Sequence, residues 1–306
     1  MELISFLNQH DIEYTASESV ARLSFVGIGG QAALAVYPKN RGEMLCLIAY
    51  LSSHRIPYKV VGNMSNILPP DGFWGICLVS TCKMRSVYFE EGLAIAECGL
   101  PLSLLCRTML AEGRVPPAEL SGIPATVGGA VYQNAGAFGI EIADHLRYAD
   151  IYDPKQDRVV RVERDALGFS YRRSALSSHG ILLSAALACH EGDIKAAEAS
   201  MTRVLALRRK SQPSAPSLGS VFLRVGETSA AYYIDRAGLK GYSIGGASVS
   251  TKHAGFIVNT GNATSRDFRA LIAFIEKTVF ERFGVALKTE IEIVKEKEGN
   301  AWLRFA

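Results

Sequence analysis

The chain of 306 residues lacks several features that would have narrowed its class at once. No apolar run reaches the ~18 residues that a membrane span needs, so no membrane partner is expected. Basic residues are not massed, with 33 Lys and Arg against 30 Asp and Glu and only Arg208-Arg209-Lys210 as a short cluster. The footprint of a nucleic-acid binder is therefore absent, although a local basic pocket for a small anion needs no global charge. Cysteine is sparse. The six (Cys46, Cys77, Cys82, Cys98, Cys106 and Cys189) show neither CxxC nor Cys/His spacing and sit mostly in apolar runs such as Leu45-Cys46-Leu47. That pattern predicts reduced thiols in a cytoplasmic protein, with no metal site. The opening Met1–His10 has no basic stretch followed by a long apolar one, so no signal peptide is predicted. No internal repeat is evident. Ser220 has no His/Asp partner nearby in sequence, which argues against a Ser-His-Asp nucleophile.

What is present is a globular composition, 48% hydrophobic, enough for two or three domains. Apolar spacing predicts an amphipathic helix over 43–54, then a strand at Tyr58–Val61 ending in Gly62-Asn-Met-Ser-Asn66. Further strands are predicted at 76–80, 87–89 and 93–97, and a helix at about 101–112 closed by Gly113. Alternation around Asp153-Pro-Lys-Gln-Asp157 predicts a hairpin, and the run Ile181–Cys189 another strand. A helix over 191–210 leads to the Ser/Pro segment 211–217, read as a linker. Beyond it come a strand at 219–223, a helix at 228–237 and a strand at 256–259. A helix at 265–283 follows, with Leu271, Ile272, Ile275, Val279 and Phe283 on one face, Thr264 or Ser265 as N-cap and Gly284 as C-cap. The last predicted strand, 287–294, sets Glu290 and Glu292 on one face.

The densest information lies in Ser121–Gly139, where five glycines and four alanines leave little side chain to build a core. Such backbone suits close approach to something flat or charged, since glycine tolerates positive φ and successive N–H groups can nest an anion. A tight turn in a packed sheet has the same composition. Gly62–Asn66 likewise reads as a phosphate-binding turn or as an ordinary Asn/Ser turn. Arg172, after aromatic residues in Phe169-Ser-Tyr-Arg-Arg-Ser174, is expected to be partly buried and to need an anion, while Arg173 reads as a surface residue.

In order and spacing these segments resemble the UDP-N-acetylenolpyruvoylglucosamine reductase family over nearly the whole chain. The resemblance is carried by Gly122-Ile-Pro-Ala-Thr-Val-Gly-Gly-Ala130 with Asn134-Ala-Gly-Ala137, by Tyr171-Arg172 with Ser174, and by Gln212-Pro213 leading into Ser217-Leu-Gly-Ser220. Ala237–Gly241, Ile244–Ser250 with His253, Phe256–Asn259, Ala263-Thr264 and Glu290 complete it. It implies an α+β protein with a vanillyl-alcohol-oxidase/PCMH-type FAD-binding domain of two subdomains, 1–82 and 83–210. A C-terminal α+β substrate-binding domain would span 211–306.

The resemblance further implies FAD and NADPH as cofactors and UDP-N-acetylglucosamine enolpyruvate as substrate, in a protein expected to be monomeric. It assigns FAD to Gly62, Asn63, Met64, Ser65, Asn66, Ile67, Gly122, Ile123, Pro124, Thr126, Gly128, Gly129, Asn134, Gly136 and Ala137. Arg172 and Glu290 would hold the substrate carboxylate, and Ser220 would protonate the α-carbon. Tyr171, Lys210, Arg224 and His253 are the further substrate contacts, with Lys210 or Arg208 facing the diphosphate. Departures from the family pattern are Met64 in place of a glycine, Phe138 in place of a tyrosine, Gly255 in place of an asparagine, and Leu223-Arg224-Val225 in place of Lys-Asn-Pro. The missing asparagine leaves Arg224 as its replacement on a diphosphate. No tyrosine-bearing loop is visible, so the shorter subgroup fits. Two other readings stay open: an FAD-linked oxidase or dehydrogenase of another carboxylated substrate, and a nucleotide-binding relative without turnover.

Overall fold

The computed structural model describes residues 2–294. Near the N-terminus, Gln31–Tyr37 forms a strand with five successive buried residues, because it is covered on both faces. It pairs antiparallel with Glu13–Ser19 on one side and parallel with Trp74–Ser80 on the other, and Tyr58–Val61 adds in parallel beyond that. The two early strands were not expected from the sequence. Glu13–Ser19 offers only Tyr14 and Ala16 as an apolar face and Gln31–Tyr37 is apolar on both faces, so neither carries a sustained period-two alternation.

A second sheet is antiparallel throughout, in the order Arg158–Glu163, Leu146–Asp153, Ile181–Ala188, Leu93–Glu97, Val87–Glu90. The predicted hairpin is its edge, with Tyr152 opposite Val159. Between and around these sheets one apolar core runs from Leu3 to Cys189, joining residues on both sides of the predicted boundary at 82.

The C-terminal part builds a third sheet, Ser217–Ser220, Phe256–Asn259, Ala247–Val249, Ser243–Ile244, covered by the helix Ser265–Phe283. Phe268, Leu271, Ile272, Ile275 and Val279 of that helix are buried, while Phe283 is 40% exposed because the helix outruns the sheet there. Thr264 caps it reciprocally with Asp267, and the carboxylate of Asp71, from the N-terminal part, accepts the N–H groups of Ser265 (2.6 Å) and Arg266 (2.9 Å). Val26, Ile28 and Leu68 enter the C-terminal core as well.

Three predicted elements differ. The Ser/Pro segment is a linker only in part, since Pro216 accepts the Asn259 N–H (2.9 Å) and Ser217 already pairs with Val258. The strand predicted at 219–223 spans Ser217–Ser220 instead, with Phe222 in an isolated bridge to Thr289. The strand predicted over 287–294 is reduced to Glu292–Ile293, which runs parallel to Ile67–Leu68. Upstream of it, Glu290 donates its N–H to Val221 (2.7 Å). The segment thus crosses from the C-terminal sheet to the strand that follows Gly62–Asn66, a long-range exchange of partners that no local pattern encodes.

Candidate active site

Those crossings surround one cavity of about 580 Å³. One wall is main chain. Gly62–Asn66 leaves the C-terminal end of Tyr58–Val61, and the helix Val127–Gln133 begins opposite it at Thr126, whose Oγ1 accepts the Gly129 N–H at 3.3 Å. The two loops are stitched together by Asn63 Nδ2, which donates to the Pro124 carbonyl at 2.9 Å. Their approach requires glycine at 62, where a Cβ would sit 2.3 Å from Thr126 Oγ1. Gly62, Ala125, Gly129, Ala135, Gly136 and Ala137 all line the cavity, so backbone forms most of this surface.

Met64 occupies the turn in the left-handed region, at φ 47°, with its side chain buried beside Val61, Trp74 and Leu78. This accounts for the departure noted in the sequence. The backbone conformation is one that suits glycine, and burial of the thioether side chain offsets the strain.

The three groups singled out in the sequence line the same cavity. Ser220 ends the strand Ser217–Ser220 after Gly219 (φ 76°) and lines the cavity half-buried. Arg172 lies at φ 56° in the turn Ser170–Arg173, closed by reciprocal N–H···O bonds of 3.0 Å between those two residues. Its Nε meets Glu290 Oε1 at 2.9 Å, and the Glu290 side chain is only 12% exposed. Burial pushes the Glu290 carboxyl above the usual range, with Arg172 pulling the other way but not prevailing. Glu292 also lines the cavity, but it is more exposed and pairs with Lys59 Nζ at 2.5 Å. Glu290 is therefore the glutamate that faces the arginine.

Of the other predicted site residues, Ile67, Ile123, Pro124, Thr126, Tyr171, Arg224 and His253 also line the cavity. Burial pushes the Tyr171 hydroxyl up, aided by Glu290, and pushes the His253 imidazole down. Four predicted residues do not line the cavity. Gly128 backs onto the carbonyl of Cys98, which accepts its N–H at 2.8 Å. Gly122 is covered by Arg208, whose Cδ would be 2.4 Å from a Cβ there. Asn134 is the left-handed C-cap of the helix Val127–Gln133 and is 1% exposed, its amide spent on protein partners. Lys210 points to solvent.

Arg208 lines the cavity in its place. It sits on the inward stripe of the helix Ile194–Ser211, in phase with the buried Ala197, Met201 and Val204, whereas Lys210 is about 200° further round. That stripe was the available signal. Burial lowers the Arg208 pKa, with no acidic group acting to raise it. Gln133 and Gln212 also line the cavity, the former donating to the Glu290 carbonyl at 3.4 Å.

A family model described as an FAD binding domain matches residues 32–163. The side-chain-poor wall fits such a ligand, since bare backbone admits both a flat ring system and a diphosphate. The fold and the cavity define an FAD-dependent oxidoreductase. A second model, described as the UDP-N-acetylenolpyruvoylglucosamine reductase C-terminal domain, matches 212–294. The chain is 38% identical to the UDP-N-acetylenolpyruvoylglucosamine reductase of Caldicellulosiruptor bescii, over 97% of this chain and 96% of that one. It is 39% identical to the same-named protein of Caldanaerobacter subterraneus, over 92% and 93%. The crystal structure of the reductase from Thermus caldophilus superposes with a TM-score of 0.78 at 30% identity, covering 92% of this chain and 98% of that chain. The chain belongs to the UDP-N-acetylenolpyruvoylglucosamine reductase family.

Proposed function

We propose that the chain reduces the enolpyruvyl group of UDP-N-acetylglucosamine enolpyruvate to give UDP-N-acetylmuramate, with NADPH as reductant, in peptidoglycan precursor synthesis. The observation that carries this reading is that Ser220, Arg172 and Glu290, from three distant segments, line one cavity with the glycine-rich wall. Gly62–Ile67, Ile123–Thr126, Gly129, Gly136 and Ala137 would hold FAD, which when bound would supply the hydride that reduces the enolpyruvyl double bond. Ser220 gives its hydroxyl proton to the α-carbon and regains one from solvent. A serine is a weak acid, but transfer to a carbanion is strongly downhill.

Arg172 takes the substrate carboxylate in charge-assisted hydrogen bonds and balances the charge that grows there as hydride arrives. Glu290, whose carboxyl is pushed toward its protonated form by burial, is the second group placed to hydrogen-bond the same developing enolate. Arg208, a half-buried cation with no acidic neighbour raising its pKa, is the diphosphate ligand, and Arg224, Tyr171 and His253 complete the substrate contacts. We further propose FAD-binding subdomains at 1–82 and 83–210, a substrate domain from 211, and a cytoplasmic monomer. No helix among the described residues is long and apolar enough to cross a membrane.

Purified protein should show the visible absorption of a bound flavin and consume NADPH only when the enolpyruvyl sugar is present. Ser220→Ala should leave flavin reduction by NADPH nearly unchanged and slow flavin reoxidation by the sugar on the order of 10²- to 10⁴-fold. If both half-reactions of Ser220→Ala ran at the wild-type rate, the assignment of Ser220 would be wrong.

A further inference from the structure

Arg172 stands in a turn position that normally takes glycine, the third residue of a four-residue turn with φ 56°. A non-glycine residue there is strained and persists only where its surroundings over-determine it. The surroundings here are specific. Asn134, itself left-handed at φ 45°, donates through Nδ2 both to the Ser170 carbonyl of that turn (3.0 Å) and to Glu141 Oε2 (2.6 Å). Its Oδ1 accepts the Ala143 N–H at 3.3 Å, so the amide cannot turn over without losing all three bonds. Glu141 presents its other oxygen, Oε1, to Arg172 Nη1 at 3.5 Å. Arg172 Nη2 donates to the Gly136 carbonyl at 2.9 Å, which fixes the plane of the guanidinium.

The guanidinium therefore lies between two carboxyl groups, Glu290 on the cavity side and Glu141 behind it. Only one of them can leave it during the reaction: substrate carboxylate competes for the face that Glu290 occupies, while Glu141 is tied to Asn134. We infer that Glu141, locked by Asn134, is the standing counter-ion and positioning residue of Arg172, holding the guanidinium at the substrate face whether or not Glu290 is ionised. This inference rests on the reading of Arg172 as the carboxylate-binding residue.

The two can be tested apart. Glu141→Gln keeps the shape of the side chain and an acceptor for Asn134 but removes the charge. In this variant flavin reoxidation by the enolpyruvyl sugar should slow by about 10- to 100-fold with a raised KM for the sugar, as for loss of an orienting partner. Reduction of the flavin by NADPH and the flavin content should stay near wild type, an outcome that general unfolding would not give. In an Arg172→Lys background, Glu141→Gln should add less than about twofold, because the group it orients is already altered. A wild-type reoxidation rate in Glu141→Gln, or an equal loss in both backgrounds, overturns the role of Glu141. A wild-type rate in Arg172→Lys overturns the reading of Arg172, and this inference with it.

Discussion

Arg172 Nε donates to Glu290 Oε1 across 2.9 Å, joining a strained turn beside the glycine-rich wall to a segment near the end of the described chain. The pair closes the cavity between the FAD-binding portion and the C-terminal sheet. It also opposes, without cancelling, the effect of burial on the Glu290 carboxyl.

Burial raises the Glu290 carboxyl above its ordinary value of 4.5, the pull of Arg172 notwithstanding. From that value up to its raised folded one, the native state holds a proton that the unfolded chain releases. The contribution of Glu290 to stability is thus fully present below 4.5 and is lost as pH rises through the folded pKa. Glu290→Gln should remove this loss. Urea unfolding at a series of pH values should show the variant gaining on the wild type as pH rises through this window, and a constant difference would contradict the assignment.

Arg208→Ala should raise KM for the UDP-sugar by roughly 10- to 100-fold, the worth of one charge-assisted hydrogen bond of about 1.5–3 kcal/mol. Arg208→Lys should recover part of the loss. Lys210→Ala should leave steady-state kinetics close to wild type, because its side chain points to solvent.

Met64→Gly sets two effects against each other. Glycine relieves strain of about 1–3 kcal/mol at φ 47°, but it deletes a side chain that is 3% exposed, a loss of about 2–5 kcal/mol. Lost packing outweighs relieved strain, so the variant should be less stable by about 1–3 kcal/mol, read from the urea midpoint at constant slope. A more stable variant would mean that the turn, rather than the small core under it, dominates.

Gly62→Ala should loosen FAD. Its Cβ would lie 2.3 Å from Thr126 Oγ1, and relief requires either parting the two loops or giving up the cap on Gly129. Weaker flavin retention on dilution, followed by the rise of free-flavin fluorescence, is the expected result. Unchanged retention would show that the loops are not held at this separation.

Much of this site was legible in the chain. Gly62–Asn66 and Ser121–Gly139 stood out because backbone that must approach a ligand or another loop excludes side chains, and that leaves a local mark in composition. Ser220, Arg172 and Glu290 were found through a motif order that extends along the sequence. Not every motif residue faces the cavity. Asn134 and Gly128 instead bond to the protein behind the wall, because a loop with a bare front needs a rigid back. Arg208 and Lys210 have the same charge and nearly the same place in the chain, and only helical phase tells the inward one from the outward one. The strand Gln31–Tyr37 escaped notice because burial on both faces erases the alternation that marks a strand.

Local chemistry, then, determined the helices, the hairpin, the caps and the two backbone-rich loops, since each depends on neighbours within a few residues. Only the tertiary structure decided that Glu290 rather than Glu292 meets Arg172, that Asp71 caps a helix of the C-terminal part, and that Glu292–Ile293 runs beside Ile67–Leu68. Each of those depends on where two remote segments cross. The free energy of such a crossing comes from apolar burial summed over the whole core, which no short window of sequence contains.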